Sequence, residues 1–111
     1  MTNATKTSLL DNLPASAGPD ELFETLACGS NGVRIERIVS FGHHSPDNFW
    51  YNQEQAEWVM VVQGEAMLAV EGEDNTHLRA GDWINLPAHK PHRVVWTTPE
   101  QPTVWLAVFY S

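Results

Sequence analysis

From Val33 onward, each apolar run is short, rich in Val, Ile, Thr and aromatic residues, and is cut off by Gly, Pro, Asn or Asp. No other feature constrains the fold as tightly. The runs cover residues 33–41, 49–53, 57–63, 65–71, 76–79, 83–86, 92–97 and 103–110. The stretches between them, 42–48, Gly64, 72–75, 80–82, 87–91 and 98–102, are too short to hold a crossover helix. The strands are therefore expected to be mostly antiparallel. About eight of them in so short a chain predict an all-β sandwich or closed barrel, and 111 residues leave room for one domain.

The beginning of the chain reads differently. Residues 1–20 are polar, broken by Pro14, Gly18 and Pro19, and predict an arm preceding a domain over 21–111, with Leu9, Leu10 and Leu13 available for docking. Residues 20–27 carry two signals. Pro19 at a first helical position and Gly29 after the end suit one helix, whereas Phe23, Thr25 and Ala27 alternate as in a strand.

Charge narrows the partners. Fourteen acidic against six basic side chains give a net charge of -8, which repels nucleic acid and anionic membranes alike. No apolar stretch approaches the roughly 18–20 residues of a spanning helix, and residues 1–13 lack the basic start of a secretory signal. With Cys28 as the only cysteine, the expectation is a cytoplasmic protein without an internal disulfide.

Several strands are apolar on both faces. Trp58, Met60 and Val62 oppose Val59 and Val61; Trp105 and Phe109 oppose Val104, Leu106 and Val108. One face fills the barrel, and the other needs a cover. A second copy packed sheet to sheet supplies one, with the N-terminal arm laid across, so a homodimer is expected.

Chemistry concentrates in two stretches, 50–65 and 81–94. Period-2 alternation sets Glu57 on the face of Val59 and Val61, and His92 on the face of Val94 and Trp96. An inward carboxylate and an inward imidazole are costly to bury unless paired, hydrogen-bonded or bound to metal, so they mark a site.

These stretches resemble the two motifs of the cupin superfamily. Glu57 and Gly64 reproduce the Glu, six residues, Gly half of the first; Gly81, Pro87 and His92 match the intervals of the second. The resemblance covers most of residues 33–110 and implies a double-stranded β-helix, or jelly-roll barrel. It implies fold far more than function, because the superfamily hosts many enzymes as well as sensors.

The departures lie at the metal positions. Where the family has a His-x-His pair, this chain has Tyr51 and Gln53, or Trp50 and Asn52 at the longer spacing. Gln53, Glu57 and His92, with Tyr51 as a fourth ligand or as the catalytic acid or base, would hold a divalent ion: Fe, Mn, Ni or Zn. The competing reading is a metal-free hydrogen-bonded Glu57–His92 pair. His89 stands where the family has Gly, and either lines the site or is an exposed loop histidine. His43 and His44 reach the site only if loop 42–48 folds over the barrel mouth. Arg37 marks a β-bulge or points inward to grip a substrate. Trp50 and Trp96 pack core or interface, or else stack on a ligand. Three functions follow: a metal-dependent enzyme acting on an anionic or hydroxylated small molecule, a non-catalytic cupin that binds a small molecule as a sensor or accessory protein, or a barrel with a collapsed pocket that serves only as an interaction module.

Overall fold

The computed structural model describes residues 4–111 as eight strands and no helix. They are β1 (Leu22–Cys28), β2 (Arg34–Ser40), β3 (Ala56–Gln63), β4 (Glu65–Val70), β5 (Thr76–Arg79), β6 (Trp83–Leu86), β7 (His92–Thr97) and β8 (Thr103–Tyr110). Five of them form one sheet in the order β1-β2-β8-β3-β6, and three form the other in the order β5-β4-β7. All pairings are antiparallel. The all-β fold expected from the turn spacing forms, with the two-sheet jelly roll that the motif resemblance implies, and the ambiguous segment 20–27 becomes the edge strand β1.

Alternation places the core. In β3, Glu57, Val59 and Val61 are buried, while Trp58 and Met60 lie half-buried on the other face. Val59, Val61, Leu68, Leu78, Leu86 and Trp105 meet between the sheets in a single cluster. Gly64, the glycine of the first motif, turns β3 into β4 at a φ of 92°, and a side chain there would stand 2.7 Å from the Thr103 backbone. Only glycine meets both conditions.

Two expectations about strands need correction. Residues 49–53 form no strand: only Tyr51 makes a bridge, to His92, through backbone bonds of 2.8 and 3.1 Å. Gly42, Pro46 and Asn48 break the chain just before that run, and β3 begins three residues after it, which leaves no room for a longer ladder. Arg37 sits at neither a bulge nor an inward position. β2 pairs with β8 without a break from Arg34 to Ser40, and the nearest bulge is in β1 between Thr25 and Ala27. Ile38 faces the barrel cavity, so Arg37 and Val39 face out. The face that Arg37 shares by alternation with Val33, Ile35, Val39 and Phe41 is covered by the arm. Arg37 donates to the Leu9 and Asp11 carbonyls at 2.9 and 2.6 Å and pairs with Glu24. His43 holds the arm a second time: it accepts from the Phe41 N–H at Nδ1 and donates from Nε2 to the Gly18 carbonyl, 2.7 Å away.

Candidate functional site: a small acidic cavity in the barrel

A cavity of about 80 Å³ opens between the sheets, lined by Tyr51, Gln53, Glu57 and His92 together with apolar walls from Val59, Leu68, Leu86, Val94, Trp105 and Phe109. Each polar group has a local reason to point there. Glu57 opens the buried face of β3, and His92 opens β7 beside the Pro91 turn. The Tyr51–His92 bridge brings the two rings into a stack with centroids 5.6 Å apart.

Glu57 and His92 are both buried, and Nε2 lies 3.5 Å from Oε1. The other ring nitrogen, Nδ1, donates to the Lys90 carbonyl at 2.9 Å, which fixes the ring and aims Nε2 into the cavity. Burial pulls the imidazole pKa down. The Glu57 carboxylate as acceptor, the Lys90 carbonyl and the Glu57 charge together outweigh it, so the net direction is up. Burial raises the Tyr51 phenol, and the charges of Glu21 and Glu57 raise it further. Tyr51 is therefore a neutral hydrogen-bond donor. Gln53 Oε1 is buried and has no hydrogen-bond partner, an unmet acceptor that calls for a ligand.

Three of the expected ligand contacts point elsewhere. Trp96 shares sequence parity with His92 and Val94, but Val95 is an extra residue: Met67 pairs with Trp96 and Leu68 with Val94. This β-bulge reverses the alternation, turning Thr97 inward and Trp96 out. Trp50 is exposed beside the Arg93 guanidinium, 6.0 Å from the ring centre. His89 has a φ of 61° and directs Nδ1 at Asn52 Oδ1, 3.0 Å away. At the position where the family has glycine, the left-handed backbone is kept and a histidine is tolerated in it. Loop 42–48 lies along β7, tied by Ser45 to Val94, so His43 and His44 stay away from the cavity.

Two lining residues escaped sequence reasoning: Glu21 and Phe23. They flank Leu22 at the start of β1, and the signal for them is the alternation that competes with a helical reading of 20–27. A buried chain holds Glu21 in place. Trp105 Nε1–H donates to Ser40 Oγ at 3.0 Å, and the Ser40 hydroxyl donates to the Glu21 carboxylate.

Residues 39–109 match the family described as Cupin domain. The chain is a cupin. Among curated proteins it has no match. Among solved structures, this cupin is similar to a Ralstonia eutropha JMP134 protein provisionally named a mannose-6-phosphate isomerase. The two are 44% identical with a TM-score of 0.92, over 97% of this chain and 99% of the other. A cupin superfamily protein of Desulfitobacterium hafniense DCB-2 aligns over 97% and 93% of the two chains at 18% identity and a TM-score of 0.74. The DMSP lyase DddQ of Ruegeria pomeroyi DSS-3 aligns with 82% of this cupin at 20% identity and a TM-score of 0.69. The match spans 47% of the lyase. The last two likenesses establish the fold.

Whether the barrel suits a metal turns on its donors. Among the described residues, no group of three or more His, Cys, Asp or Glu is arranged to hold an ion. One imidazole, one amide oxygen and two carboxylates, Glu57 and Glu21 at the rim, line the cavity. The phenol is held neutral, so Tyr51 supplies no anionic oxygen. This donor set fits a hydrogen-bonding organic ligand better than a resident metal.

Proposed function

We propose that this cupin binds a small organic molecule in the barrel cavity, against the Glu57–His92 pair, without a resident metal. The observation that carries the reading is the unpaired Gln53 carbonyl oxygen, buried in the same apolar-walled cavity as that pair. A ligand that donates to Gln53 would satisfy a buried side-chain acceptor that has no partner among the described residues. Tyr51, Glu57 and His92 are also equipped to pass a proton to a bound molecule, one as a neutral donor and two as a coupled acid and base.

The sugar phosphate in the name of the Ralstonia protein is a poor fit. A cavity of about 80 Å³ is far below the roughly 300–1,000 Å³ of pockets for larger ligands. A phosphate would also face Glu21 and Glu57 with no lysine or arginine in the lining. A second reading, a divalent ion held by Gln53, Glu57 and His92, is favoured by the same unmet oxygen.

Elemental analysis of protein purified without a His tag, paired with thermal-shift screening against metabolites, separates the two. Stabilisation that survives a chelator, with metal well below one ion per chain, is the expected result. Ligand at a hundredfold excess over Kd adds about 2.7 kcal/mol. Stoichiometric metal that Glu57→Gln abolishes would replace this reading with the second.

For the assembly, we propose a homodimer formed through the part of the five-stranded sheet's outer face that the arm leaves uncovered. Trp83 is 59% exposed there and lies against the half-buried Trp58. Exposed aromatic surface of this kind marks an interface.

A further inference from the structure

We propose that the cavity selects a small organic cation, an alkylammonium head group, which Glu21 and the surrounding aromatic rings recognise. The inference names the ligand class for the site proposed above and rests on that reading.

The charge of the lining points to a cation. Its ionisable side chains are Glu21, Glu57, Tyr51 and His92, and it contains no lysine or arginine. His92 and Glu57 face each other and compensate one another when the ring is protonated. Glu21 then remains as a carboxylate with no cationic partner among the described residues. The Ser40 hydroxyl binds its Oε2, and Oε1 has no hydrogen bond there. The buried indole and serine behind it fix where the negative charge stands, so little ordering is left for a ligand to impose. Both Glu21 and Glu57 act on the Tyr51 phenol, so their fields overlap inside the cavity.

The walls and the size narrow the class further. Phe23, Tyr51, Trp105 and Phe109 line the same space; one face of Phe109 carries the Arg34 guanidinium, 4.3 Å from the ring centre, and one face of Tyr51 stacks on His92, which leaves Phe23 and Trp105 as the rings without such a partner. A carboxylate beside aromatic faces suits an alkylated ammonium, whose diffuse charge is attracted by π faces and whose methyl groups prefer apolar walls. A small, strongly hydrated cation gains less from such walls. An apolar cavity of roughly 150 Å³ holds benzene. About 80 Å³ is about half of that and encloses about three non-hydrogen atoms, so a head group seats one or two of its alkyl arms in the cavity and the rest of it at the mouth beside the exposed Phe23. The Gln53 oxygen, an independent and unmet acceptor, completes a lining built of acceptors and rings.

The test titrates the full chain with three probes of one shape: tetramethylammonium chloride, tert-butanol and sodium pivalate. Binding is followed by ligand-observed NMR at constant ionic strength. Tetramethylammonium is expected to bind saturably, tert-butanol about tenfold more weakly and pivalate not at all. Glu21→Gln, on the half-exposed rim, should weaken tetramethylammonium about tenfold and leave tert-butanol unchanged. Phe23→Leu should weaken tetramethylammonium several-fold, and both variants should keep the wild-type circular dichroism. The inference is overturned if tetramethylammonium fails to saturate, if pivalate binds as well, or if Glu21→Gln changes nothing. Tert-butanol or pivalate binding in chelator without tetramethylammonium binding would overturn the cation class and keep the metal-free cavity. Tetramethylammonium binding that needs a divalent ion would overturn the metal-free reading and keep the cation class.

Discussion

His92 has one nitrogen committed to a backbone carbonyl and the other aimed at a carboxylate, so its proton decides whether that second contact attracts or repels. Its pKa is raised above 6.5 in the fold. The stabilisation is therefore fully present below the unfolded value of about 6.5 and is lost as pH climbs through the raised value. Denaturant midpoints should fall across that interval, and Glu57→Gln should flatten the slope. A midpoint indifferent to pH in the wild type would detach His92 from Glu57. Gly64→Ala should cost at least about 1–3 kcal/mol from the left-handed backbone alone. Crowding against Thr103 adds to that cost, and thermal melts should show a drop of about 4–8 °C per kcal/mol. Glu57 and His92 were legible as residues because charged groups on apolar alternating faces demand a reason. Glu21 was not, because nothing near it in sequence reveals the serine and indole, far along the chain, that hold it.

Elements were legible where alternation is strict and lost where one residue interrupts it. β3 buries the side chains its pattern predicts, whereas Val95 in β7 shifts the register by one and turns Trp96 out of the barrel. No propensity marks a bulge of this kind, since the valine that makes it is itself a good strand residue. Arg37 failed for a different reason. Its face is apolar because the arm, not the opposite sheet, packs on it, and periodicity cannot tell one cover from another. Arg37→Ala should therefore release the arm, raising proteolytic cleavage within residues 4–20 and lowering stability by about 2 kcal/mol through lost charge-assisted hydrogen bonds. Unchanged cleavage would mean that the His43 contact with Gly18 suffices to hold the arm.

For the molecule as a whole, turn spacing alone specified an antiparallel all-β fold, because links this short leave no other way to bury the apolar runs. The cavity's size and the sign of its charge were not legible. They depend on which side chains from distant strands end up sharing one wall. Quaternary structure is testable directly: sedimentation should give a dimer for the wild type and a monomer for Trp83→Glu, with the fold unchanged. A monomeric wild type would leave that tryptophan face without a partner. The link from Trp105 to the cavity rim has one more consequence. Trp50, Trp83 and Trp96 are exposed and Trp58 is partly so, while Trp105 is buried. Emission at the blue edge of the spectrum therefore belongs chiefly to one indole, the one that anchors Glu21. The protein carries its own optical probe, so occupancy of the cavity can be read from unlabelled fluorescence.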